Sequence, residues 1–272
     1  MGRRPQTGHG VPNEGLFGVS QAIAADGLVY VAGQIARHPD GTPIAERGLA
    51  ANYAKAVDNL RVLLERLDSG LDRLAHVQVH VTPDIATDLD EIAALHRRHL
   101  GAAETSGALV GVASLIHPAY LVEISAIAAL REGGGPVKHV VEGTPFEREL
   151  GFARAVRAGR HVFVSGQLPV DAAGALAGGS DVVAQFEQAL ANAVDAFAAA
   201  GASRDDVVAT HLFVSVTPDP EQLRAIAAIH RRLLGEGDNR PTASLIGVAS
   251  LPLPGALVEI SGIAVLEREE GE

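Results

Sequence analysis

The sequence predicts an α+β protein made of two copies of one domain, each with the element order ββαβαββ and two helices on one face of a mixed sheet. Three observations predict this architecture. The chain has 272 residues, about twice the length of a typical domain. Residues 109–130 recur as residues 245–266 with about two thirds of the positions identical. Strand-like and helix-like hydrophobic periodicities also alternate in the same order in both halves.

The repeat predicts the limits of the domains. Residues 1–132 form the first domain, residues 133–145 a linker, and residues 146–272 the second domain. The linker contains a Gly-Gly-Gly-Pro run at 133–136, which is typical of chain between folded units.

Each element of the first domain has its own sequence signal. Strands are predicted over residues 19–23 and 28–33, with a turn at the Asp-Gly pair between them. Apolar residues at steps of three and four predict a helix over 49–67, followed by a strand over 74–81 and a helix over 88–100. Two strands, over 109–115 and 121–130, complete the domain. The second half repeats this order.

The penultimate strand of each copy predicts association between units. Residues 109–115 and 245–251 show little polar alternation, which is typical of strands buried on both faces. Two helices cover only one face of a sheet. Another copy of the domain is therefore expected on the second face, both within the chain and between chains.

Composition narrows the class of protein. The chain is 47% apolar and 20% charged, as in a globular protein, and its net charge of −11 argues against nucleic-acid and anionic-membrane binding. It has no cysteine, which excludes disulfides, thiolate metal sites and a cysteine nucleophile. No apolar run is long enough for a membrane span, and residues 1–10 lack the apolar core of a secretory signal. A cytoplasmic protein without cofactor or metal is expected.

Two motifs, taken in order, carry a resemblance to a known family. Residues 162–169 read Val-Phe-Val-Ser-Gly-Gln-Leu-Pro, and residues 257–260 read Leu-Val-Glu-Ile. With a helix, a strand and a helix between them, they resemble the RidA (YjgF/UK114) family, over residues 16–130 and again over 146–266. The resemblance implies a chorismate-mutase-like fold, three-unit rings with ligand clefts between neighbouring sheets, and hydrolysis of reactive imines and enamines, such as 2-aminoacrylate, to a 2-oxo acid and ammonia.

The three-unit ring implies a stoichiometry. Two domains per chain cannot fill such a ring, whereas three chains supply six domains and two rings. A homotrimer of about 84 kDa, three times 28.1 kDa, is the expectation.

The resemblance also implies the catalytic groups. The family's carboxylate falls at Glu259 and Glu123, which would handle a proton during hydrolysis. A solvated or ion-paired strand glutamate is the alternative. The family's arginine, which would bind a substrate carboxylate, falls at Gly107 in the first copy and Ala243 in the second, so neither copy has it.

Several substrate-binding candidates flank the same motifs. Two arginines could replace the missing one, and an aromatic lid is available only in the second copy, which is the better equipped of the two. The glutamine amides have a structural alternative, since they could satisfy backbone groups at a strand end. The candidates are Arg240, Arg154, Phe152, Ser165, Gln167, Gln34 and Tyr120.

Three functions remain open from the sequence. The first is a RidA-like enzyme that performs acid–base chemistry on an imine, an enamine or a specialised biosynthetic intermediate. The second is a ligand-binding or regulatory protein that has lost the chemistry together with the arginine. The third, ribonuclease activity, is disfavoured because the chain is acidic and lacks a basic, aromatic-lined track.

Overall fold

The computed structural model describes residues 4–82, 84–142, 145–236 and 240–267. It contains two six-stranded mixed sheets, one in each half of the chain, each with two long helices. The predicted α+β fold of two repeated units is therefore confirmed. The predicted domain ends at 1–3 and 268–272, and linker residues 143 and 144, lie outside the described residues. Among the described helices, none is long and apolar enough to cross a membrane.

The two units have the same element order. The first unit comprises β1 (Gln6–Thr7), α1 (Pro12–Phe17), β2 (Ala22–Ala25), β3 (Leu28–Gln34), α2 (Leu49–Glu65), β4 (Leu74–Val81), α3 (Ile85–His99), β5 (Ser106–Gly111) and β6 (Val122–Ala129). The second comprises β7 (Val137–Val140), α4 (Pro145–Leu150), β8 (Ala155–Ala158), β9 (His161–Gln167), α5 (Val182–Ala199), β10 (Val207–Val214), α6 (Pro220–Leu234), β11 (Thr242–Gly247) and β12 (Val258–Val265).

Each unit has one strand and one short helix more than the predicted ββαβαββ order. Strands β1 and β7 add an antiparallel edge to β2 and β8, respectively. Strand β7 lies within residues 133–145, where the sequence predicts a linker. Two and four residues are too few to show a periodicity, so these edge strands escape a pattern-based prediction.

The central strands carry the two candidate glutamates on the face away from the helices. Along β6, Val122, Ile124 and Ala126 are buried beneath α2 and α3, and the corresponding residues of β12 are buried beneath α5 and α6. Because successive strand residues point to opposite faces, Glu123 and Glu259 lie on the other face.

That other face is where the two units meet. Leu28, Ala75 and Ala129 of the first unit pack against Val156 and Phe163 of the second. All six residues of β5 are buried there, whereas all six residues of β11 are exposed. The predicted two-sided burial of residues 109–115 thus holds for residues 109–111, which end β5, whereas residues 112–115 lie outside the strand and Ala113 and Ser114 are exposed. The single chain leaves β11 uncovered.

Candidate functional site

A cavity of about 680 Å³ lies between β5 of the first unit and the sheet of the second. Gly107 and Leu109 of β5 form one wall, and α4, α5 and the segment after β9 form the others. Strand β5 is fixed across the opening at both ends: Ala153 donates its N–H to the Thr105 carbonyl at 3.0 Å, and Gly111 donates to the Ser250 carbonyl at 2.9 Å. The cavity therefore requires both units.

Glu259 lines this cavity and is 2% exposed. The N–H of Leu109, which belongs to the other unit, donates to its carboxylate. Burial raises the pKa of Glu259 to about 8, and the Leu109 hydrogen bond acts in the opposite direction. Its Oε2 has no hydrogen-bond partner among the described residues. At neutral pH Glu259 is consequently a carboxylic acid that can donate a proton into the cavity.

A bulge in β9 makes room for this carboxyl group. The pairing of β9 with β12 shifts between Ile260 and Gly262, beside Ser165 and Gly166. A Cβ on Gly166 would overlap the Glu259 carboxylate, so glycine is required by close approach. Gly33 stands in the same relation to Glu123. Bulges of this kind are common beside active sites because they redirect side chains.

Ser165 joins the two units. Its hydroxyl donates to the Ala153 carbonyl at 2.5 Å and accepts the N–H of Gly107 at 2.9 Å. These two bonds hold β5 against the second sheet, on the side of the cavity that Ser165 lines.

Phe152 occupies the space beside Gly107. A Cβ on Gly107 would overlap the Phe152 ring. The ring also packs on buried His96, with centroids 4.0 Å apart. The cavity thus has an aromatic wall where β5 has no side chain.

Arg154 lies at the edge of the cavity with each of its nitrogens engaged. It pairs with Glu142 through Nη1, donates from Nη2 to the Asn192 carbonyl at 3.1 Å, and donates from Nε to the Gln167 Oε1 at 3.4 Å. Only 17% of its side chain is exposed. The guanidinium is therefore already compensated by a carboxylate.

The glutamine amides bind the backbone of the bulges. Gln167 donates to the Ser165 carbonyl at 3.0 Å, and Gln34 donates to the Ala32 carbonyl at 2.9 Å. Sequence reasoning missed Asn192 and its repeat Asn59, whose amides donate to two carbonyls just after each glutamine. The sequence signal that could have identified them is an asparagine that recurs at the same position among the apolar residues of the first long helix of each unit.

The remaining candidates lie elsewhere. Arg240 is exposed and lines a separate hollow of about 390 Å³ beside β11. Tyr120 is buried against Ile35 in the first unit. Glu123 is half-buried on β6, where burial raises its pKa and the positive charge of Arg37 opposes that rise. The structure therefore brings Glu259, Arg154, Phe152, Ser165 and Gln167 together, and leaves Glu123, Gln34, Tyr120 and Arg240 outside this cavity. Arg37 was not anticipated.

Metal ligands are not assembled in the described part of the chain, where no group of three or more His, Asp or Glu side chains could hold an ion.

Comparison with known proteins matches each half separately. The model of the family described as Endoribonuclease L-PSP matches residues 16–130 and 145–266. A RutC family protein of Haemophilus influenzae is 37% identical over 117 residues, which cover 42% of this chain and 85% of that protein. The mitochondrial protein MMF1 of Saccharomyces cerevisiae is 29% identical over 96 residues, covering 35% and 64%.

Solved structures also match, each over about half of this chain. A Mycobacterium tuberculosis member of the YjgF/YER057c/UK114 family is 34% identical, covers 48% of this chain and 100% of its own, and has a TM-score of 0.40. E. coli TdcF with bound serine is 28% identical, covers 47% and 94%, and has a TM-score of 0.38.

Proposed function

Because both halves of this chain belong to the Endoribonuclease L-PSP family, we propose that it is a small-molecule enzyme of the RidA type that hydrolyses an imine or enamine in the cavity between its two units. The observation that carries this proposal is Glu259: a buried carboxyl group with a raised pKa and one oxygen without a described partner, facing a cavity large enough for a small metabolite.

The chemistry needs one proton carrier and one water. Glu259 donates its proton to the imine nitrogen, which makes the carbon electrophilic. The carboxylate then accepts a proton from the attacking water, giving a carbinolamine. Protonation of the nitrogen breaks the C–N bond, ammonia leaves, and the hydroxyl proton is lost as the carbonyl forms. The balance is one imine and one water in, and one carbonyl compound and one ammonia out.

Ribonuclease activity is not supported by the same cavity. Its described charged residues are five acids and one arginine, and the arginine is paired with one of the acids. Phosphate binding needs the opposite sign of charge.

The direct test is ammonia release from imines and enamines generated in situ, including 2-aminoacrylate, measured above the spontaneous rate. Acceleration of at least one of these compounds is expected. A panel in which none is hydrolysed faster than in buffer would leave the chain as a binding protein and overturn the proposal.

We further propose that the chains associate through β11. In the first unit, the equivalent strand β5 is buried under the second unit of its own chain: Phe152 packs against the core of the first unit, and Leu150 lines the same cavity as β5. In the second unit, Leu245 and Ile246 of β11 are 43% and 39% exposed. The surface that would receive β11 is also exposed: residues equivalent to Leu150 and Phe152 lie 133 positions earlier and are large and apolar. They are Phe17 at 65% and Val19 at 54% exposure.

The surface that covers β11 is therefore that of the first unit of a second copy of the chain. Side-chain sizes are complementary in both pairs: Gly107 faces the large Phe152, whereas Ala243 would face the smaller Val19. Such a contact also places β11 beside Glu123, as β5 lies beside Glu259. Because this contact joins different surfaces of the two copies, repeated copies can close into a ring. We propose three chains, the homotrimer expected from the sequence, arranged in one ring of six alternating units and not in the two three-unit rings expected there, because β5 of each chain is already covered by its own second unit.

Leu245→Glu is expected to dissociate this assembly. Light scattering should report about 84 kDa for the wild type and 28.1 kDa for the variant, because a buried unpaired carboxylate is costly. Val141→Glu, at an exposed site outside both surfaces, is the control and should keep the larger mass. A wild type that is monomeric at micromolar concentration contradicts the proposed interface.

A further inference from the structure

The charges around the cavity are unusual for a site that binds an organic acid. Its described lining contains five acidic side chains and a single basic one, Arg154. Glu142 neutralises that arginine through Nη1, and the arginine's Nε and Nη2 donate to the Gln167 side chain and to a backbone carbonyl. The acidic residues of the lining are Glu142, Glu147, Asp171, Asp195 and Glu259.

A carboxylate-bearing ligand would be poorly held in this cavity. It would enter a region of negative potential and find no uncompensated cation among the described lining residues. Phe152 fills the space beside Gly107, which leaves no room for a side chain at that position. A positively charged ligand would instead be attracted by the negative potential of the cavity.

The floor of the cavity supplies a second, independent indication. Glu259 is 98% buried, and its Oε2 has no hydrogen-bond partner among the described residues. A buried polar atom of this kind costs free energy unless a ligand satisfies it. A protonated nitrogen donor is the group that satisfies a carboxylate oxygen best.

We propose that the cavity selects substrates that bind as cations and carry no carboxylate, namely the imines that form when primary amines with an apolar substituent are oxidised. The inference rests on the proposed imine hydrolysis and gives it a substrate class. The apolar substituent lies against Leu109, Leu150, Phe152 and Leu168, which line the cavity beside Glu259. The imine nitrogen accepts the Glu259 proton, and the resulting iminium is held by the ionised carboxylate and the surrounding acids. Water then adds to the carbon, and ammonia leaves as described above.

The kinetic test uses two imines that differ only in the carboxylate. A flavin amine oxidase acting on phenethylamine supplies the first, and an amino-acid oxidase acting on phenylalanine supplies the second. Semicarbazide intercepts each imine, so hydrolysis by the protein lowers the initial rate of semicarbazone formation. We expect kcat/KM to be at least 10-fold higher for the amine-derived imine. Hydrolysis of the imino acid alone, or with equal efficiency, overturns the proposed selectivity while leaving imine hydrolysis intact.

The binding test does not depend on turnover. Calorimetry compares phenethylammonium with 3-phenylpropanoate at pH 7, for the wild type and Glu259→Gln. We expect the ammonium to bind at least 10-fold more tightly than the carboxylate. We also expect wild-type binding to release a proton, seen as an enthalpy that varies with the ionisation enthalpy of the buffer, because the cation converts Glu259 to its ionised form. In Glu259→Gln this buffer dependence should vanish.

The two tests fail in distinguishable ways. Ammonium binding with Glu259-dependent proton release, but no hydrolysis of either imine, would remove the proposed enzymatic function and retain the cation site. Tighter binding of 3-phenylpropanoate, or no binding of phenethylammonium, would overturn the cation site.

Discussion

Replacing Glu259 with glutamine is expected to lower kcat/KM for imine hydrolysis by about 10²–10⁴-fold, the usual contribution of a positioned general acid or base. The substitution preserves volume and an oxygen that can accept the Leu109 N–H. It removes only the acidic proton. The measurement is the initial hydrolysis rate at several substrate concentrations, so that kcat and KM are separated.

Two variants make this result specific. Glu65→Gln, at an exposed position on α2, controls for the loss of a carboxylate elsewhere and should leave the rate unchanged. Glu123→Gln is the counterpart in the first unit and should lower kcat/KM by less than about 10-fold, because Glu123 is half-buried with Arg37 nearby and holds its proton less strongly. Equal losses in Glu259→Gln and Glu123→Gln would contradict the assignment of the acid to the second unit.

The duplication explains which features of the candidate site could be predicted from the sequence and which could not. The resemblance to the RidA family, together with the recurrence of one glutamate in each copy, predicted both carboxylates. Their different environments could not be predicted. Glu259 is buried because β5 of the other unit lies across it, and Glu123 is half-buried because β11 covers nothing within the chain. That difference depends on how two similar units pack, which the repeat leaves unspecified.

The two candidate arginines also show that the sequence predicts positions better than it predicts the surroundings of a side chain. Arg154 and Phe152 were both substrate-binding candidates, and the structure puts both at the cavity, in the segment that precedes β8. The ion-pair partner of Arg154 is Glu142, which lies between β7 and α4. The sequence shows no periodicity there, so the neutralisation of the Arg154 charge by Glu142 could not be inferred. Arg240 follows helix α6 in the sequence but lies in a different hollow.

The free energy of unfolding is expected to fall as pH rises from about 4.5 to about 8, and Glu259→Gln should remove this part of the dependence. In the unfolded chain Glu259 titrates near its ordinary pKa of 4.5, whereas burial raises the pKa in the folded protein to about 8. Between these values the folded state holds a proton that the unfolded state has released. Stability therefore decreases with pH across this window, and Glu259 adds no further pH dependence below about 4.5 or above about 8.

The size of the effect follows from the same two values. Each pH unit contributes about 1.4 kcal/mol, so the full window is worth roughly 5 kcal/mol as an upper limit. Urea denaturation at pH 5, 6, 7 and 8 measures it as the difference between the variant and the wild type. That difference should grow in favour of the variant by about 1.4 kcal/mol per unit. Glu123→Gln is the matched control and should show a smaller slope, because its carboxyl is less buried. A difference that stays constant from pH 5 to pH 8 would show that Glu259 is ionised in the folded protein.

The two glutamine results are linked by one physical cause. The burial that keeps Glu259 protonated at neutral pH also makes the folded state less stable there than a glutamine would, since glutamine has no ionised form to favour unfolding. Glu259 lowers the stability of the folded state and yet lies on a cavity with one oxygen unsatisfied. A need for its proton in the reaction explains why a destabilising residue stands there, since activity and stability often compete. Glu259→Gln should thus be more stable than the wild type at pH 8 and yet much less active, whereas a purely structural role predicts that stability and activity change in the same direction.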